Sequence, residues 1–184
     1  TGVAMAITAM VASQVAVTHP AMQRLSARAR AVVTRDRGLP AALAATALAA
    51  FLLLLTGSYV TRTGASLACP AFPYCGAEAY ALAFPGLIAI QMIHRFLAFG
   101  VAIAACLTLW RLVRAGKNEP GFHVAALGLA LLIVVQFGLG ISNVLLRLPM
   151  WSRTLHLLVA AMLWAGLAML WVAVQRGNRA TVNG

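Results

Sequence analysis

Long apolar segments separated by short polar loops constrain this chain more than any other feature of its sequence. Four of them cover about 39–59, 86–110, 122–146 and 154–175, and a fifth, barely long enough to span a membrane, covers about 2–18. About 20 consecutive apolar residues suffice for a helix to cross a bilayer. Because 62% of the residues are hydrophobic and only 9% are charged, the sequence predicts an all-α integral membrane protein: an antiparallel transmembrane four-helix bundle with an additional N-terminal transmembrane helix.

The basic residues predict which end of the bundle faces the cytoplasm. Ten of the fourteen lysines and arginines lie in segments 20–38 and 111–120 and in the C-terminal tail. These segments alternate with the other loops, so the positive-inside rule assigns them to the cytoplasm. The loop at about 60–85, which contains two cysteines, is then expected on the periplasmic side of a bacterial inner membrane. We expect the net charge of +11 to set topology and meet anionic lipid headgroups, not nucleic acid.

The beginning of the chain carries no recognisable cleavable signal. A signal peptide has basic residues before its apolar core, and no charged residue precedes Arg24 here. The chain opens at Thr1 directly in apolar sequence. We therefore expect a processed product or the back part of a longer protein.

Two histidines inside the apolar segments are the strongest candidates for a functional site. His94 and His156 each lie near the periplasmic end of a predicted span, and an ionisable residue in a membrane helix indicates function by default. At similar depth on two helices, they are typical of the two axial ligands of a haem iron held between facing helices. A haem with two histidine ligands suits electron transfer, because it has no open coordination position. The alternative is that each histidine bonds a neighbouring helix or caps a helix start.

Four arginines near the expected periplasmic face break the positive-inside pattern: Arg62, Arg95, Arg147 and Arg153. Haem propionates are anionic, and arginine binds carboxylates through two parallel hydrogen bonds. Arg95 follows His94 directly, and Arg153 lies three residues before the second histidine. We expect Arg95 to meet a propionate or another acidic partner, whereas Arg62 and Arg147 fit snorkelling to the membrane interface equally well.

Two cysteines in the periplasmic loop are predicted to form a disulfide. Cys69 and Cys75 lie in the segment CPAFPYC, and the bacterial periplasm is oxidising. A structural staple is one interpretation, and a redox-active or transiently substrate-linked pair is the other. A zinc site is not indicated by a single cysteine pair. Cys106, in the middle of a span, is expected to be a small core residue.

The other polar residues indicate structure more than chemistry. Gln14 and Gln136 lie within spans and are expected to bond another helix. His19 and His123 are expected at the membrane interface, with His123 as the weaker ligand candidate. Acid–base chemistry by a buried carboxylate is not predicted, because only three acids occur, all in loops: Asp36, Glu78 and Glu119.

Four segments, in order, resemble the haem A synthase family of cytochrome oxidase assembly. They are GSYVTRTGASLACPAFPYCG, QMIHRFLAF, QFGLGISNV and RTLHLLVAAMLWAGL, and together they cover about residues 57–170. The resemblance implies two similar four-helix halves, one for the substrate haem and a C-terminal one for a b-type haem. It implies that His94 and His156 are the axial iron ligands of one half and that Cys69 and Cys75 are its loop cysteines.

The chain is more similar to the C-terminal half. The substrate half typically carries a glutamate just before its first histidine, and the matching stretch here is IAIQMIHR, with Gln91 and no acid. We therefore expect residues 1–38 to be the last helix of a preceding half and a basic cytoplasmic linker, and residues 39–184 to be the haem-binding bundle. The implied function is the haem b half of an oxidoreductase that converts the haem O methyl to the haem A formyl group. The expected partners are a separate substrate half or other membrane subunits, and terminal oxidase assembly factors.

Two other functions are compatible with the sequence. The first is a non-catalytic bis-histidine cytochrome or structural subunit of a respiratory or photosynthetic membrane complex, which the missing acid and the start of the chain favour. The second is a quinone-linked thiol oxidase, a four-helix class with outer-loop cysteines. That class normally needs more than one redox-active cysteine pair, and the outer loop here contains only Cys69 and Cys75.

Overall fold

A computed structural model describes residues 18–76 and 84–182, with side chains up to residue 177. Within these ranges the secondary structure is helical: α1 Pro20–Arg35, α2 Leu39–Arg62, a 3₁₀ turn Ala65–Leu67, α3 Pro85–Ala115, α4 Pro120–Leu145 and α5 Met150–Val182. Helices α2, α3 and α4, together with α5 up to Gly177, are long and apolar enough to cross a membrane. The predicted all-α membrane architecture is confirmed.

Prolines account for the starts of four of these helices. Pro20, Pro40, Pro85 and Pro120 all lie in the first turn of a helix. Proline is favoured there because its φ is already helical and its missing N–H would have no partner inside the helix. The four long predicted spans are confirmed to within a few residues. The predicted span at about 2–18, with Gln14, lies almost entirely outside the described residues.

The four long helices form a closed ring. Helix α2 packs against α3, α3 against α4, α4 against α5, and α5 against α2. Helices α3 and α5 are therefore diagonal partners that face each other across the centre of the bundle. The α2–α3 and α4–α5 hairpins each carry one of the two histidines, on their second helix.

A dense apolar core fills one end of this bundle, which we call the basic end: the start of α2, the end of α3 and the start of α4. Leu43, Leu112 and Phe122 are fully buried there. Among the described residues, the core cluster and the side chains packed against it extend toward the other end no further than Ala50, Leu109, Ile133 and Leu163. The opposite end, called the histidine end below, has a separate, small buried cluster around the two loop cysteines.

Helix α1 occupies the segment that the sequence suggests is a basic linker. It is amphipathic, and its apolar face of Ala29, Val32 and Val33 is buried where α1 packs against α5. Gly177 of α5 makes this close approach possible, because a Cβ at that position would lie 2.8 Å from backbone atoms of α1. The basic segment is therefore a docked helix whose arginines face outward.

Polar contacts hold α1 to the basic end of the bundle. Arg111 makes two parallel hydrogen bonds to the carboxylate of Asp36, at 2.9 and 2.7 Å. The hydrogen bond from Arg111 is the main reason why the pKa of Asp36 lies below its ordinary value of 3.8. Arg35 donates a hydrogen bond to the carbonyl of Ala115 at 3.0 Å. This bond connects the C-terminal end of α1 to the C-terminal end of α3.

One expectation about the bundle interior is wrong. Cys106 is exposed on α3, whereas its neighbours Ala105, Thr108 and Leu109 are buried. Successive residues of an α-helix are rotated by about 100°, so the position after Ala105 points away from the core. Cys106 therefore faces outward from the bundle, toward lipid in a membrane.

Candidate functional site

His94 lies on α3 at the histidine end, nine residues after Pro85. Its Nδ1 is 2.8 Å from the hydroxyl oxygen of Thr56 on α2. The imidazole also packs closely against α2 at Gly57, because a Cβ at that position would approach His94 Cε1 to 3.2 Å. The side chain is half-buried, and its position is set by two consecutive residues of the neighbouring helix.

His156 lies on α5, six residues after Met150. Its Nε2 is 3.3 Å from Nε2 of Gln136 on α4, so Gln136 bonds another helix, as predicted. A Cβ at Gly140 would approach His156 Cε1 to 3.3 Å. Each hairpin of the bundle therefore contains one histidine that packs against a glycine of the preceding helix and contacts a polar side chain there.

The two imidazoles occupy the same region of the bundle. His94 and His156 come from the diagonal helices α3 and α5, at the same end of the bundle. Both lie beyond the end of the apolar core, which stops at Leu109 and Leu163 on these helices. That the two histidines share one depth as ligands of a single group stays a prediction.

The hydrogen bonds indicate which nitrogen of each ring carries the proton. The Thr56 hydroxyl donates to the carbonyl of Leu53 at 2.8 Å, so it can only accept from Nδ1 of His94. That bond leaves Nε2 of His94 with a free lone pair. The Gln136 amide nitrogen is a donor only, so Nε2 of His156 also carries a lone pair rather than a proton.

Two buried polar atoms at this site lack a hydrogen-bond partner in the described part of the chain. They are Nδ1 of His156 and Oε1 of Gln136. Leaving such atoms unpaired costs free energy and calls for an explanation, such as a bound group. The residues present fit a haem: two imidazoles whose Nε2 atoms carry lone pairs, that of His156 accepting from Gln136, glycines against both rings, and a region outside the apolar core. Among the described residues, no cluster of three or more His, Cys, Asp or Glu side chains suited to a bare metal ion occurs.

Three aromatic side chains join α3, α4 and the cysteine loop. The rings of Phe99 on α3 and Phe137 on α4 lie 5.3 Å apart, and Phe72 of the cysteine loop lies 6.4 Å from Phe99. Phe99 is little more than one helical turn from His94, and Phe137 directly follows Gln136. These rings pack against one another between α3, α4 and the loop.

The cysteine loop closes this end of the α2–α3 hairpin. Cys69 and Cys75 form a disulfide, and both cysteines are buried. They pack with Ile88 and the partly buried Met92, both on α3. The described part of the loop is therefore attached to the helix that carries His94.

Two polar side chains of α3, one on each side of His94, hold the loop backbone. Gln91 accepts a hydrogen bond from the Cys69 amide at 2.6 Å and donates to the carbonyl of Ser66 at 2.8 Å. Arg95 donates to three loop carbonyls: Cys69 at 2.8 Å, Ala71 at 2.8 Å and Pro73 at 3.1 Å. Within the described residues the partners of the buried Arg95 guanidinium are therefore backbone oxygens, and its contact with a propionate or another acidic partner stays a prediction.

Comparison with known proteins gives the family of this histidine-containing bundle. A family model described as Cytochrome oxidase assembly protein matches residues 2–168. The chain belongs to this family. Among curated proteins, the Heme A synthase of Lysinibacillus sphaericus is 28% identical over 130 residues, which cover 70% of this chain and 42% of that protein.

Two further relatives of this family member have similar coverage. The Heme A synthase of Geobacillus kaustophilus is 29% identical over 133 residues, with 72% of this chain and 42% of that protein covered. The Heme A synthase of Rhizorhabdus wittichii is 33% identical over 127 residues, with 65% and 35% covered. The matched region thus spans less than half the length of these curated relatives.

Several functional features of this family member were not evident from its sequence. Thr56 was missed, because a threonine in an apolar helix has no distinctive pattern. Gly57 and Gly140 have no distinctive pattern either, because their contact with the histidine rings depends on how the helices pack. The remaining arginines of the candidate set, Arg62 and Arg153, are exposed. No ion pair or hydrogen bond involves either side chain within the described ranges.

Proposed function

We propose that this chain is the haem b half of a haem A synthase-like membrane oxidoreductase, the class that converts the haem O methyl to the haem A formyl group. His94 and His156 would be the axial iron ligands. The observation that carries the proposal is the pairing of two imidazoles from diagonal helices, each packed on a glycine, beyond the apolar core. Curated relatives named Heme A synthase support the same function.

The residues around each imidazole would prepare it for iron. A six-coordinate haem supplies one-electron transfer when bound and has no position for an exogenous ligand. The Thr56 hydroxyl would accept the hydrogen bond from Nδ1–H of His94. This hydrogen bond would fix the orientation of the ring and leave Nε2 free for the metal, as hydrogen bonds to ligating histidines generally do. Gln136 would shift its amide away from Nε2 of His156 when iron binds there. Its hydrogen-bonding groups would remain available to the buried ring.

Arg62 and Arg153 are proposed to bind the haem propionates. Both side chains are exposed at the histidine end and have free donors in the described structure. Arg95 is not part of this set, because it holds the cysteine loop. Arg147, which adopts a positive φ of 56° in the turn before α5, is assigned to the membrane interface.

Catalysis is proposed to require a companion half that binds the substrate haem. The chain matches 42% of the length of two Heme A synthases, and Gln91 occupies the position where a substrate half typically has an acid. We further propose a bacterial inner membrane location with the cysteine loop on the periplasmic side, and other membrane subunits or oxidase assembly factors as partners.

A haem spectrum of the purified chain tests the proposal. We expect a pyridine haemochrome typical of haem b and a low-spin spectrum that His94→Ala and His156→Ala each abolish. His123→Ala is the matched control, because that histidine lies at the basic end, and it should leave the spectrum unchanged. Purification of a folded, haem-free wild-type chain from haem-replete cells would contradict the proposal.

A non-catalytic bis-histidine cytochrome is the second candidate, and the contacts of Gln91 favour it. Both polar atoms of its amide are used by the loop backbone, so the residue at the position of the missing acid has a structural role. Haem A formation by cells that express this chain, with and without a substrate half, separates the candidates. Haem A only in the presence of both halves supports the enzyme, and its absence in both cases supports the cytochrome.

A further inference from the structure

Two adjoining cavities open at the basic end of the bundle, far from the histidine site. One, of about 370 Å³, is lined by residues that include Trp110, Arg111 and Arg114. The other, of about 630 Å³, is lined by residues that include Lys117 and His123. Arg35 and Arg114 line both cavities. The two form one basic groove between α1, the end of α3 and the start of α4.

The groove has more positive charge than its own acids neutralise. The carboxylate of Asp36 is paired with Arg111, and that of Glu119 is paired with Arg28 outside the groove. In the part of the chain that the structure describes, no acid contacts Arg114 or Lys117. Arg114 instead lies over the ring of Trp110, 4.8 Å from its centroid. Three cations of the groove therefore have no acidic partner among the described residues: Arg35, which is bonded to the carbonyl of Ala115, and Arg114 and Lys117, which remain for an anionic ligand.

A buried polar atom adds a hydrogen-bonding position to the groove. Nε2 of His123 is buried and has no hydrogen-bond partner among the described residues, and His123 lines the larger cavity. A buried imidazole nitrogen without a partner requires an explanation, and a ligand oxygen is one. A phosphate oxygen that reached this nitrogen would lie in the cavity that Arg114 and Lys117 also line.

The surroundings of the groove favour a lipid over a soluble anion. Trp110 is 55% exposed next to it, and an exposed tryptophan at the end of a membrane helix marks the headgroup level. Directly beyond His123, Val124 and Leu127 of α4 are 71% and 74% exposed. An anion held in the groove would thus lie above an apolar helix face suited to an acyl chain.

We propose that this groove binds the phosphate of an anionic phospholipid, with Arg114 and Lys117 as the charged contacts and His123 as the hydrogen-bond partner. Basic pockets between membrane helices are a known means of binding such headgroups. The site would attach α1, which carries Arg35, to the membrane surface. This site is independent of the haem proposal.

Native mass spectrometry of the full chain with phosphatidylglycerol or phosphatidylcholine tests the proposal. We expect the wild type to retain phosphatidylglycerol in preference to phosphatidylcholine. Each groove cation should contribute about 1 kcal/mol to binding. The affinity for phosphatidylglycerol should therefore fall about fivefold in Lys117→Gln and about 25-fold in the double variant Arg114→Gln with Lys117→Gln. The matched control is Arg24→Gln with Arg30→Gln, which removes the same charge from exposed positions of α1 outside the groove. Circular dichroism checks that every variant is folded.

If the double groove variant and the control lost phosphatidylglycerol retention equally, the proposal would be overturned. The lipid preference would then come from the overall positive charge of this end and not from the groove. A wild type without preference for phosphatidylglycerol would also overturn it. Inorganic phosphate is the second arm of the experiment. If it displaces the lipid at equal phosphate concentration, the site binds a soluble anion and the lipid assignment is wrong. A folded His123→Phe variant with unchanged retention would exclude the proposed hydrogen bond.

Discussion

The guanidinium of Arg95 donates a 2.8 Å hydrogen bond to the backbone carbonyl of Cys69, which joins α3 to the disulfide loop directly beside His94. The same side chain reaches two further loop carbonyls and lies 5.9 Å from the ring centroid of Phe72. A buried arginine that satisfies several backbone acceptors is costly to replace, because each acceptor left unpaired carries a desolvation penalty. The loop conformation and the position of the histidine therefore depend on the same turn of α3.

Replacing Arg95 should loosen the cysteine loop. In Arg95→Met, three loop carbonyls lose their donor, and we expect a destabilisation of about 3 kcal/mol from the lost charged hydrogen bonds. Hydrogen exchange at the amides of residues 69–75 should rise, and the free energy of unfolding in detergent should fall. Arg62→Met removes an exposed arginine of the same helical hairpin and should change neither quantity. Unchanged exchange in Arg95→Met would show that the disulfide alone holds the loop.

Thr56 should affect haem binding through the proton of His94. In Thr56→Val the Nδ1 proton loses its acceptor, and removal of such a partner typically weakens metal binding about 10- to 100-fold. Thr56→Ser keeps the hydroxyl and should bind haem like the wild type. Haem titration of the purified apoprotein, followed by absorbance, measures the difference. Equal affinity of the valine and serine variants would rule out this role for the hydroxyl.

The glycines under the imidazoles should tolerate no side chain. A Cβ at Gly57 or Gly140 would lie 3.2 or 3.3 Å from the nearest ring atom, so each alanine variant should displace its histidine and lower the haem content. Gly138→Ala is the control, since it lies on the same helix as Gly140 with nothing within 4 Å of its Cβ position. It should keep its haem and be more stable by up to about 1 kcal/mol, the difference in helix propensity. Normal haem content in Gly57→Ala and Gly140→Ala would contradict the close packing.

The Asp36–Arg111 pair should make stability depend on acid pH. The pKa of Asp36 is lowered from 3.8 by its hydrogen bonds to Arg111. The ionised carboxylate therefore contributes fully to the free energy of unfolding above about pH 4, and this contribution is lost as the pH falls through the lowered pKa. Asp36→Asn should be less stable than the wild type at pH 7, and this difference should shrink below pH 4. Thermal unfolding between pH 3 and pH 7 measures it. A constant difference across this range would mean that the charge of Asp36 is not the cause.

The histidine site shows how far the sequence alone leads. An imidazole is costly in lipid, so the positions of His94 and His156 within apolar segments are enough to mark them as functional candidates. The carbonyl partners of Arg95 were not predictable, because backbone oxygens of a loop have no signature in the sequence. The outward position of Cys106 was also not predictable, because the sequence of a helix that is apolar on all sides does not indicate which face is buried.

The sequence by itself determined the membrane class, the four long spans and the two candidate ligands, because apolar length and the cost of polar groups in a bilayer are local properties of the chain. Only the tertiary structure decided that α3 and α5 face each other diagonally, that Gly57 and Gly140 lie under the imidazoles, and that Arg95 binds the cysteine loop. These features arise from helix packing across distant parts of the chain. Packing depends on the shapes of all the contacting side chains together, which no single segment specifies.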